Sequence, residues 1–149
     1  VRVGYPTRDE ERRIVEAEAR TRRARDVRPV VEPAAILAAR AVVDEIYVDE
    51  KIREYVLDIV LATRDPAAFK LDLAPYIRYG ASPRATICLT LAARAHAFLN
   101  GRGYVTPQDV KSVAPDVLRH RILPTYEAEA EDITADTMIS RILSELPVP

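Results

Sequence analysis

Ile52, Tyr55, Val56, Ile59, Val60 and Thr63 follow one another at steps of three and four residues. That spacing lines one face of an α-helix and excludes a strand there. Asp49 stands where such a helix needs a side-chain acceptor for its first free N–H groups, so the spacing predicts a capped helix with one buried face. The same reasoning extends along the chain. Thr7 and Glu10 form the outline of a capping box and open a helix to about residue 25. Its acids (Asp9, Glu10, Glu11, Glu16, Glu18) crowd the first half and its arginines (Arg20, Arg22, Arg23, Arg25) the second, as the helix dipole favours. Residues 27–33 hold two prolines and read as a connector, followed by an alanine-rich helix over 34–45.

Ser82 as N-cap and Pro83 in the first turn begin a further helix that reaches Asn100. It is apolar nearly all round apart from Thr86, Thr90 and Arg94, and is therefore expected at the centre of a bundle. Gly101 ends it, and Thr106-Pro107 with Asp109 starts the next. Pro115 is expected to break that helix and begin a short one, and Glu127, Glu129, Glu131 and Asp132 to form an acidic loop. A last helix over 134–146 buries Met138, Ile139, Ile142, Leu143 and Leu146. Only Val1-Arg2-Val3 alternates like a strand, and residues 64–79, broken around Pro66 and Pro75, show little regular pattern. The fold class read from this is all-α.

Composition bounds what such a chain can do. With 149 residues, 48% of them apolar, it forms an ordinary core without disulfides or metal. One cysteine and no signal-peptide pattern point to the cytoplasm. Arg40, Asp58 and Arg94 interrupt the apolar runs below membrane-span length, so membrane is not a partner. A net charge of −1 argues against nucleic acid as a partner. Glycine occurs only at positions 4, 80, 101 and 103, and none belongs to a phosphate-cradling loop.

Few residues carry candidate chemistry. Cys88, His96 and His120 lack partners at catalytic or metal-ligand spacing, so Cys88 reads as an inert core residue and no metal site is expected. Val42-Val43-Asp44-Glu45 looks like a magnesium-binding strand end, but it continues a helical pattern. Gly-Ala-Ser-Pro-Arg-Ala at 80–85 is different. Arg84 falls in a first helical turn, where a positive charge is disfavoured by about 0.3–1 kcal/mol, and an anion would offset that cost. The alternative is that Arg84 pairs with an acid of a neighbouring helix or lies in solvent. Local physics does not separate the two.

Several segments, in order, resemble the lid-bearing part of MoxR-type AAA+ ATPases: Gly4-Tyr5-Pro6 with Glu10-Glu11, Ala62-Thr63-Arg64, the 80–85 stretch, Gly101 to Val110, and Val117 to Ile122. The resemblance implies a helical lid over residues 27–149, a connecting helix over 7–26, and the last strand of an ATPase core ending in 1–6. Arg84 matches the family's sensor 2 arginine, which reaches ATP phosphates from the lid, and the resemblance implies that Gly80, Ala81, Ser82 and Pro83 bind nucleotide with it. Arg64 matches a position on the nucleotide-facing side, where a salt bridge is expected. In the wider clade an insert before sensor 2 can carry this arginine to a neighbouring subunit's nucleotide, and residues 64–79 fall where such an insert would lie.

The resemblance further implies ATP and Mg2+ in the parent protein, a P-loop core, sister subunits in a hexameric ring, chaperone-like remodelling, and von Willebrand factor A-type partners. The phosphate loop, magnesium-binding acids, sensor 1 and arginine finger have no counterpart among these residues, so hydrolysis by this stretch alone is not expected. The competing reading is a standalone helical module that contacts DNA or an acidic protein through the arginines of 20–28 or through Arg119-His120-Arg121.

Overall fold

The computed structural model describes residues 4–19 and 28–149, in two compact units, Val1–Leu37 and Ala38–Pro149. In the first unit, α1 (Arg8–Glu18) starts from the expected capping box: the Thr7 N–H donates to Glu10 Oε2 at 2.8 Å and Thr7 Oγ1 accepts from the Glu10 N–H at 3.4 Å. Ala19 already leaves helical geometry, earlier than expected. The rest of the anticipated helix, its arginines up to Arg25, and the strand at Val1–Val3 lie outside the described residues. Helix α2 (Pro33–Asp44) crosses into the second unit and contains the Val42-Val43-Asp44 run as helix.

The second unit holds the core. Helix α3 (Glu50–Ala62) is capped by Asp49, which accepts from the Lys51 N–H at 3.0 Å. All six positions of the anticipated face are buried. Helix α4 (Pro83–Leu99) packs on α3 and, most extensively, on α5 (Pro107–Leu118), while α7 (Ala135–Glu145) closes the core against α3 and α5. Gly101 takes the left-handed conformation at the end of α4, φ +69°.

Four expectations are corrected. Helix α4 is a wall of the bundle rather than its centre: only Ala85, Leu89, Ala93 and Ala97, one residue per turn, are buried. Ile87 and Leu91, on the opposite face, stay 61% and 47% exposed. Helix α5 continues through Pro115, because Val110, Ala114 and Leu118 place one buried stripe on both sides of it and offset the missing N–H. The acidic loop is a short helix, α6 (Tyr126–Ala130), whose N-cap Thr125 accepts from the Ala128 N–H at 3.2 Å. Glu127 and Glu129 sit in its first turn, where the dipole favours them.

The fourth correction is local and leaves the all-α class standing: the helical fold carries one small two-stranded sheet. Strand β1 (Ile77–Tyr79) pairs antiparallel with β2 (Leu123–Pro124). The pairing is extended by the Thr125 N–H to the Tyr76 carbonyl at 3.0 Å and by Thr125 Oγ1 to the Pro75 carbonyl at 2.8 Å. Strands of two and three residues are too short to show alternation. Residues 64–79 are thus ordered: a 3-10 turn at Ala67–Phe69, then Leu71 and Leu73 buried in the core, then β1. A second bridge, parallel, joins Tyr47 to Tyr104.

Candidate functional site

The approach to α4 is clamped by the end of α3. Thr63 is fully buried; its Oγ1 donates to the Val60 carbonyl at 2.6 Å and accepts from the Ala81 N–H at 2.9 Å. Arg64 donates from Nε to the Ala81 carbonyl at 2.6 Å. Both polar groups of the Ala81 backbone are therefore held by consecutive side chains. Gly80 is required by the same approach, since a Cβ there would fall 2.2 Å from the Thr63 carbonyl oxygen. The salt bridge expected of Arg64 is replaced by this main-chain contact, and Arg64 forms no ion pair among the described residues.

From that clamp the chain emerges into solvent. Ala81 is buried, whereas Ser82, Pro83 and Arg84 are exposed. Ser82 occupies the N-cap position with extended backbone, yet its side chain caps nothing. Pro83 has no N–H to satisfy. Arg84, in the first turn, forms no ion pair or side-chain hydrogen bond among the described residues, so its charge and the positive end of the helix dipole are both left unneutralised.

A second guanidinium lies one turn further along. Arg121 is half-buried, donates from Nε to the Val117 carbonyl at 2.8 Å, and places a terminal nitrogen 3.6 Å from Cys88 Sγ. Cys88 shares the Arg84 face of α4 at four residues' distance and is half-buried, not the core residue expected. Arg121 also lacks an ion pair among the described residues. Its neighbour Arg119 is engaged instead, with Asp136 at 3.0 Å and with Asp116. Sequence reasoning gave Arg121 no part in this site; the signal was its place in the Val117 to Ile122 segment.

The far end of α4 is anchored by a buried carboxylate. Asp109, 1% exposed, accepts from both terminal nitrogens of Arg102 at 2.6 and 2.5 Å, from His96 Nδ1 at 2.6 Å, and from the Thr106 N–H at 2.8 Å. The Arg102 guanidinium, ahead of the Thr106 and His96 hydrogen bonds and against the opposing effect of burial, holds the Asp109 carboxyl far below the usual carboxylate range. His96 is tied to Asp109, and His120 is exposed. No group of three or more His, Cys, Asp or Glu side chains able to hold a metal occurs among the described residues, and none of their helices is long and apolar enough to cross a membrane.

An unneutralised arginine at an uncapped helix mouth, set on a clamped Gly-Ala peptide, is an arrangement known families can be compared with directly. Residues 70–142 match the AAA lid domain family. Over its whole length the chain is 36% identical to chaperone MoxR1 of Mycobacterium tuberculosis, covering 39% of that protein. It is 42% identical over 105 residues to protein MoxR of Paracoccus denitrificans, covering 31% of it. A crystal structure of a candidate ATPase from Cytophaga hutchinsonii superposes on 99% of the chain with a TM-score of 0.85 and 36% identity, covering 45% of that chain. The chain carries the lid of a MoxR-family AAA+ ATPase. It spans less than half the length of these relatives. In this MoxR-family chain, two of the five segments that carried the resemblance, 62–64 and 80–85, are halves of one structural unit, the clamp and the helix mouth.

Proposed function

We propose that this MoxR lid binds nucleotide phosphate at the start of α4, with Arg84 acting as sensor 2. The observation that carries the reading is the exposed, unpaired Arg84 guanidinium at a helix N-terminus that no side chain caps. These groups fit a polyphosphate: the fork donates to phosphate oxygens while the first-turn backbone offers a positive dipole end. Gly80 and Ala81 do not contact the ligand in this reading; held by Thr63 and Arg64, they fix where the mouth points. Ser82 and Pro83 border it.

The triphosphate and its Mg2+ supply the reactive phosphorus and most of the charge neutralisation, and are held mainly by a P-loop core outside these residues. Arg84 adds a positive charge aimed at the terminal phosphate, stabilising negative charge there. Loss of that phosphate removes the contact and releases the lid, coupling hydrolysis to motion. The exposed Ile87 and Leu91 share the Arg84 face and suit a core docking against it. In this reading the parent is a cytoplasmic homo-oligomeric ring, a hexamer, that remodels client proteins and works with von Willebrand factor A-type partners.

The test is Arg84→Ala in the full-length protein. ATP turnover is expected to fall at least tenfold while the lid's melting temperature stays within about 2 °C, because an exposed unpaired arginine contributes little to folding. Unchanged turnover removes Arg84 from the mechanism.

A further inference from the structure

Away from the Arg84 mouth, at the other end of α4, the lid displays two exposed tyrosines on one surface. The helix is 17 residues long, so its ends are roughly 25 Å apart. The Tyr47 N–H donates to the Gly103 carbonyl at 2.9 Å and the Val105 N–H to the Tyr47 carbonyl at 3.0 Å, which makes Tyr47 and Tyr104 a bridge pair on one face. Alternation along both segments sends Ile46, Val48 and Val105 into the core and both tyrosines outward. Tyr47 is 61% and Tyr104 55% exposed.

The loop presenting this pair is held by side-chain contacts. Arg102, held by buried Asp109, also donates to the Tyr104 carbonyl at 3.3 Å. The Tyr47 hydroxyl donates to Asp49 Oδ2 at 3.3 Å. Around Tyr47 the chain reads Asp44-Glu45-Ile46-Tyr47-Val48-Asp49-Glu50, four exposed acids within seven residues. The nearby cations do not fully balance them: Arg53 is taken by Glu50 at 3.3 Å and Arg102 by Asp109, leaving Lys51 and Arg40, one turn before Asp44. Asp44 and Glu45 form no ion pair among the described residues.

We infer that Tyr47 and Tyr104, rimmed by Asp44, Glu45 and Asp49, form a docking site for an arginine-bearing segment of a partner protein. The chemistry selects arginine. A guanidinium stacks flat on a tyrosine ring while its edge donates to a carboxylate, whereas an ammonium gives up hydration for the same contact and lacks the planar fork. Two adjacent rings with acids on the rim provide both contacts together, and the fixed loop lowers the ordering cost of binding.

Fluorescence anisotropy of a labelled arginine–alanine peptide with the intact protein tests this at low salt. The measurement is repeated with Arg20, Arg22, Arg23 and Arg25 changed to Ala, so that the chain's own arginine run cannot compete. Binding is expected, weakened roughly tenfold or more by Tyr47→Ala with Tyr104→Ala, severalfold weaker for the lysine–alanine peptide, and unaffected by Arg84→Ala. Tyr47→Leu with Tyr104→Leu keeps apolar bulk without a π face and serves should the alanine pair unfold; Phe at both positions is expected to retain binding. No binding in either background, full binding after removal of both rings, or equal binding of the lysine peptide overturns the proposal.

Discussion

Gly80→Ala is the substitution whose cost follows most directly from the geometry. The new Cβ would lie 2.2 Å from the Thr63 carbonyl oxygen, 2.5 Å from its carbon and 2.7 Å from the Arg64 nitrogen, all backbone atoms at the end of α3. Ordinary contact begins near 3.4 Å, so the two segments must separate by more than an ångström. That displacement would carry the Ala81 N–H, now 2.9 Å from Thr63 Oγ1, and the Ala81 carbonyl, now 2.6 Å from Arg64 Nε, beyond hydrogen-bond range. Two hydrogen bonds at about 1 kcal/mol each, plus about 1–3 kcal/mol for a forced fit, give a loss of roughly 3–5 kcal/mol. For a domain of this size that lowers the melting temperature by roughly 10–20 °C. Urea unfolding followed by helical circular dichroism measures it, with Gly103→Ala as the control. A Cβ at Gly103 meets nothing within 4 Å, and its stability should move by less than about 0.5 kcal/mol. Equal effects at the two glycines would refute the clamp.

Two further outcomes are expected. Asp109→Asn leaves Arg102 without its counter-charge beside a buried amide and should cost about 2–4 kcal/mol in urea unfolding. Because the Asp109 carboxyl titrates lower in the folded chain than in the unfolded one, its contribution is full above about pH 4 and drains away as pH falls through the folded-state value. The variant's stability should depend less on pH over that acid range, and an unchanged acid slope would contradict the assignment. Pro115→Ala restores an N–H to the Lys111 carbonyl inside a continuous helix and should raise the urea midpoint, by roughly 1–3 kcal/mol in stability; a lower midpoint would mean that the ring packs better than a methyl.

What could be read from the chain alone was what nearest neighbours along a helix determine. The buried face of α3 and the capping boxes at Thr7 and Thr106 depend on residues within a turn or two of each other, and all formed as expected. The Thr106 box nevertheless concealed the chief role of Asp109, because Arg102 and His96 reach it from outside its helix. Arg64 was found through resemblance, but a side chain that grips a carbonyl seventeen residues away leaves no charge pattern, so a salt bridge was expected in its place. The apolar surround of α4 pointed to a central helix; half of that surface faces solvent here, on the side that bears Arg84. Pro115 misled because the local cost of proline is visible in the chain and the burial that outweighs it is not. Arg121 was missed because its proximity to Cys88 is created by the fold.

The pairing of Ile77 and Tyr79 with Leu123 and Pro124 stitches the segment ahead of α4 to the chain leaving α5. Main-chain stitches of this kind tie the surroundings of Arg84 to two neighbouring elements rather than one. A pull on the first turn of α4 is borne by α3 through Thr63 and Arg64, and by the α5–α6 junction through β2. Under the proposed sensor 2 role, a displacement at that arginine would be passed to both neighbours at once, and lengthening the chain between Ile77 and Gly80 would loosen its tie to β2.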